Sequence, residues 1–60
     1  MYYVTTTARR KNAKRHIADK VNDLETARKT MDRINNKLYI IEVYNGKWEL
    51  IERRVNPNEK

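Results

Sequence analysis

The chain has 60 residues, with 14 Lys and Arg against 8 Asp and Glu and a net charge of +6. At this size folding hides only about 60% of the surface of the unfolded chain, so one marginally stable domain is expected, residues 1–55, with 56–60 as a tail. Cysteine is absent and the longest apolar run, residues 38–41, is far shorter than the roughly 20 residues of a membrane span, which excludes disulfides and predicts a soluble cytoplasmic protein without a membrane partner.

Residues 2–8 read as a strand, because Val4 and three consecutive threonines favour extended backbone. Residues 13–21 admit two readings. In one, residues 15–21 form a second strand, with Ile17, Asp19 and Val21 alternating against His16, Ala18 and Lys20. In the other, a long helix begins near Asn12, since Ile17, Val21, Leu24, Met31 and Ile34 also follow helical spacing. Arg and Lys would then crowd the helix N-terminus, where positive charge is unfavourable, and Asn22-Asp23 would be wasted inside the helix. These arguments favour an α+β fold of order ββαββ over β–long α–β hairpin.

Residues 23–35 predict a helix with Leu24, Ala27, Met31 and Ile34 on one apolar stripe. Asn22 is the expected cap, with Glu25 as its capping-box partner, and Asn35-Asn36 the expected stop. A hairpin follows, residues 38–44 and 47–54, joined by Asn45-Gly46 as a two-residue turn. That turn predicts Tyr44 opposite Lys47, Val43 opposite Trp48, Glu42 opposite Glu49 and Ile41 opposite Leu50. One face then carries Tyr39, Ile41, Val43, Trp48 and Leu50 as core. The other carries Leu38, Ile40, Tyr44 and Ile51, with Ile40 and Ile51 opposed. Residues 56–60 are polar, contain a proline and predict a frayed end.

The segments Asp23-Leu24-Glu25-Thr26-Ala27 and Gly46-Lys47-Trp48-Glu49-Leu50 carry a resemblance. The chain resembles, over about two thirds of its length, small uncharacterised phage and prophage proteins. In these a strand runs into a helix start and a hairpin follows. The resemblance implies a ββαββ fold and a viral source, hence a host-cell cytoplasm, and brings no site residues.

Charge is the functional signal. Arg9, Arg10, Lys11, Lys14 and Arg15 fall within seven residues that hold no acid, which leaves nine bases against eight acids elsewhere. Such a cluster attracts phosphate. In the ββαββ reading it is a hairpin loop, suited to a DNA or RNA backbone, with Asn12 placed to reach a base edge. Tyr2 and Tyr3 are candidates to stack on unpaired bases. The bland reading of the same run is a solvated loop. The alternative function is a module that binds a host protein through Leu38, Ile40, Tyr44 and Ile51; the same patch would serve a homodimer. An enzyme is disfavoured: serine, cysteine and glutamine are missing and histidine occurs once, so no Ser–His or Cys–His pair can form. His16 and Asp19 alone do not make a metal site. No catalytic residue, metal or cofactor is expected.

Overall fold

The computed structural model describes residues 1–34 and 37–55. Its elements are β1 (Tyr2–Ala8), β2 (Arg15–Val21), α1 (Leu24–Arg33), β3 (Tyr39–Asn45) and β4 (Leu50–Arg54). The order is ββαββ, and the long-helix alternative falls because Arg15–Val21 pairs with β1 as a strand. All pairings are antiparallel, in the sheet order β2-β1-β3-β4. The N- and C-terminal halves of the chain therefore meet at β1–β3, in the middle of the sheet. The Asn35-Asn36 stop and the tail at 56–60 lie outside the described residues.

Helix α1 starts one residue later than the sequence suggests. Asp23, not Asn22, is the cap: its backbone is extended and its carboxylate accepts from the Thr26 N–H at 2.7 Å. A carboxylate satisfies that orphan donor and also opposes the positive end of the helix dipole, which a neutral Asn cannot match. At the other end the Ile34 N–H donates to the Met31 carbonyl at 3.2 Å and Ile34 turns extended. The helical stripe packs as expected. Ala27 and Met31 are buried with Val4, Val21, Ile41 and Val43, and Tyr2, Leu24 and Ile34 close the rim. Two ion pairs add polar ties from α1 to β4: Arg28 with Glu52 at 2.9 Å, and Asp32 with Arg54.

Residues paired across a ladder point to the same side of the sheet. Val4 opposite Val43 and Thr6 opposite Ile41 face the helix; Tyr3 opposite Tyr44, Thr5 opposite Glu42 and Thr7 opposite Ile40 face away. Strand β2 does not alternate simply, as the sequence suggested. Val4 pairs with Asp19 but Thr5 pairs with Ile17, so Ala18 is the extra residue of a β-bulge. Val21 and Asp19 stay on the helix side, where the Thr30 hydroxyl donates to Asp19 Oδ2 at 3.3 Å. Ile17 and Arg15 are turned to the open side, and Ile17 is 48% exposed.

The β3–β4 hairpin departs furthest from expectation. Tyr44 pairs with Leu50, Val43 with Glu52, Glu42 with Arg53 and Ile41 with Arg54, with Ile51 bulged between. Asn45 does not sit at the centre of a two-residue turn. It opens a longer one: its carbonyl accepts from the Trp48 N–H at 3.0 Å. Its side-chain oxygen accepts from Lys47 N–H at 2.8 Å and Glu49 N–H at 3.0 Å. This self-bonding of Asn is the physical reason the two-residue turn loses. The left-handed residue is consequently Trp48, at φ 61°, and not Gly46. Ile40 and Ile51 are not opposed, and Tyr39, Trp48 and Leu50 are exposed rather than core.

Candidate nucleic-acid interface

The basic stretch is the β1–β2 loop with its flanks. Arg9 N–H donates to the Leu38 carbonyl at 3.2 Å, carrying the β1–β3 ladder one step past Ala8. Ala13 N–H then donates to the Arg10 carbonyl at 3.3 Å, closing a turn over Lys11 and Asn12. Asn12 is left-handed, at φ 66°, a conformation Asn tolerates better than most residues. Its place is thus explained by the turn, whether or not it reaches a base. Arg10, Lys11, Asn12 and Lys14 are exposed, while Arg9 is half-buried.

The loop cations differ from three of the four arginines outside the stretch, Arg33 being the exception. Arg28, Arg53 and Arg54 each lie beside a carboxylate, with Glu52, Glu42 and Asp32 as partners. Among the described residues, no carboxylate comes within ion-pair distance of Arg10, Lys11, Lys14 or Arg15. Four of the five cations read from the sequence are therefore left without an acid at one end of the sheet.

Arg15 is separated from the rest of the cluster by its direction. It pairs with Thr7 and, because of the bulge at Ala18, extends over the open face. Its Nη1 donates to the Tyr44 hydroxyl at 2.9 Å. Its guanidinium carbon stands 4.8 Å from the Tyr44 ring centroid and 5.6 Å from that of Trp48. Trp48 in turn lies flat on Tyr3, centroids 4.4 Å apart and planes within 1°, with Tyr44 tilted beside it at 5.6 Å. The Tyr44 hydroxyl donates to Glu42 Oε1 at 3.0 Å. Thr5 shares this face but is fully covered, its hydroxyl donating to the Glu42 carbonyl at 3.2 Å.

The open face thus joins two features at opposite ends of β1. The basic turn lies past Ala8, and the Tyr3–Trp48 pair lies about 20 Å away at 3.4 Å per residue, with Arg15 between them. Sequence reasoning singled out Tyr3 and the cations but put Trp48 in the core. Only the left-handed turn brings it to Tyr3. Of the four residues expected to form an apolar contact, Ile40 and Tyr44 share the open face, Leu38 sits in the turn before β3, and Ile51 is the bulged residue of β4.

The perturbed ionisable groups lie elsewhere. The hydrogen bonds from Thr26 hold the Asp23 carboxyl below its ordinary range. The hydrogen bond from Arg28, assisted by Arg54, lowers Glu52 against a smaller opposing effect of burial. Asp32 and then Glu52 raise Arg54. Among the described residues, no group of His, Asp or Glu gathers to hold a metal, and no helix is long and apolar enough to cross a membrane. Comparison with protein-family models, curated proteins and solved structures finds no match.

Proposed function

We propose that this chain is a small nucleic-acid-binding accessory or regulatory protein that holds phosphate with residues 9–15 and performs no chemistry of its own. The observation that supports this most is the clustering of Arg10, Lys11, Lys14 and Arg15 in an acid-free stretch, none of them within ion-pair distance of a carboxylate among the described residues. An exposed hairpin tip carrying cations without acids fits against a phosphate backbone, and each phosphate it neutralises releases counterions. Arg9 and Arg15 flank the tip and extend the same field.

Five cations that each neutralise one phosphate give a fall of log affinity with log salt of about −4.5 on duplex DNA. Replacing Arg9, Arg10, Lys11, Lys14 and Arg15 singly by Gln should reduce the slope by about one each. Removal of all five with binding unchanged would refute the reading, as would a parent protein that binds neither DNA nor RNA in low salt. The latter result would promote a protein partner, reached through the exposed apolar residues Leu38 and Ile51 with Ile40 and Tyr44.

A further inference from the structure

We infer that the open face of the sheet is a stacking platform for unpaired bases, with Trp48 and Tyr3 as its floor, so that the preferred ligand is single-stranded nucleic acid. The inference rests on the phosphate-binding reading above and names the form of nucleic acid it takes.

Three observations converge. The first is the backbone of Trp48. A bulky residue at φ 61° is strained, because its Cβ crowds the following carbonyl. Such strain persists where the surroundings enforce it, and it gathers at functional sites. Burial does not account for the tryptophan here, since the side chain is 45% exposed. The second is the parallel stack on Tyr3, which fixes the plane of the indole against a ring of β1. An aromatic held flat and open to solvent offers the contact that every base can use, whatever its sequence. The third is charge complementarity. Arg15 stands over the Tyr44 ring at 4.8 Å and the Trp48 ring at 5.6 Å, and Lys20 is the cross-strand neighbour of Tyr3 on the same face. A base on Trp48 would therefore have cations beside it for its phosphates. The basic turn adds cations past Ala8, and Glu42, the acid opposite Thr5 on this face, is held by Arg53 and the Tyr44 hydroxyl. A duplex keeps its bases stacked on each other and cannot use the platform, though it can use the turn.

The test uses fluorescein-labelled oligothymidylate about 15 nucleotides long, and a duplex of equal length, read by anisotropy at low salt. Trp48 is the single tryptophan, so its emission reports the platform directly. Oligothymidylate should quench it strongly, and the duplex, which reaches the ring only through Arg15, should shift it slightly without that quenching. Trp48→Gly suits the left-handed backbone and should keep the far-UV spectrum of the parent. It should weaken oligothymidylate binding by about 5- to 150-fold, the worth of one stacked base, and leave duplex affinity and its salt slope unchanged. Trp48→Phe should restore most of the loss. Equal binding of oligothymidylate by Trp48→Gly and parent would overturn the platform and leave the phosphate reading standing. So would an emission unmoved by bound oligothymidylate. Replacement of Arg10, Lys11 and Lys14 together by Gln should weaken both ligands. A parent that binds neither overturns both readings.

Discussion

Trp48 lies flat on Tyr3, ring centroids 4.4 Å apart, although the two residues are 45 positions apart in sequence. The contact spans the sheet from the first strand to the loop between the last two. It costs the left-handed backbone of Trp48, about 1–2 kcal/mol for a residue with a Cβ. It returns roughly 0.5–1.5 kcal/mol as an aromatic pair. The strain offsets most of that pair interaction, so what the ring adds to stability comes mainly from the apolar area it covers.

That balance predicts the stability of two variants. Trp48→Gly loses the stack and the area the ring covers but relieves the backbone, so stability to urea should fall by about 1–2 kcal/mol. Trp48→Ala loses the stack and keeps the strain, and should be the less stable of the two by about 1 kcal/mol. A buried tryptophan would instead cost about 3–5 kcal/mol on truncation. Parent emission should be that of an indole partly in water.

The cap of α1 gives a second contrast. Asp23→Ala removes the acceptor of the Thr26 N–H and should cost about 1 kcal/mol. Asn22→Ala should stay within about 0.5 kcal/mol, because Asn22 is exposed and is not the cap. Equal losses at both positions would mean that the helix begins elsewhere.

The sequence made the elements legible and left the faces hidden. Val4 and the threonines marked β1, and the stripe from Leu24 to Ile34 marked α1, because both signals are local. The alternation of Ile17, Asp19 and Val21 described an unbroken strand, yet a bulge at Ala18 takes Ile17 out of the core. Nothing in the local pattern marks that bulge; it follows from pairing with β1. Asn45-Gly46 is a strong two-residue turn signal, but the Asn45 side chain bonds Lys47 and Glu49 and lengthens the turn. One misread turn then moved Trp48 and Leu50 to the wrong environment. The basic cluster was visible because charge needs no register, whereas the platform depends on two registers at once.

Acid should destabilise the fold through Asp23 and Glu52. Both carboxyls are held below their ordinary values of 3.8 and 4.5, Asp23 by hydrogen bonds from Thr26 and Glu52 by that from Arg28. A group whose folded pKa is depressed contributes stability that is full above its unfolded pKa and is lost as pH falls through the folded value. Melting temperature should therefore be level above about pH 5 and decline below it. Glu52→Gln should lower the plateau and flatten part of the decline. A decline of the same depth in Glu52→Gln and parent would remove Glu52 from this account.

Arg15 and Lys11 carry the same charge and should behave differently. Lys11 is exposed in the turn, whereas Arg15 donates to Tyr44 and stands over the Tyr44 and Trp48 rings. Lys11→Gln should reduce the salt slope of DNA binding by about one and leave Trp48 emission alone. Arg15→Lys keeps the charge, so the slope should hold. An ammonium lacks the planar fork that both bonds a hydroxyl and covers a ring. Arg15→Lys should therefore shift Trp48 emission and cost about 0.5–1 kcal/mol of stability, the worth of an exposed cation–π contact. Emission identical to the parent in Arg15→Lys would detach Arg15 from the aromatic group. It would then be one more phosphate contact, and the two ends of the open face would act separately.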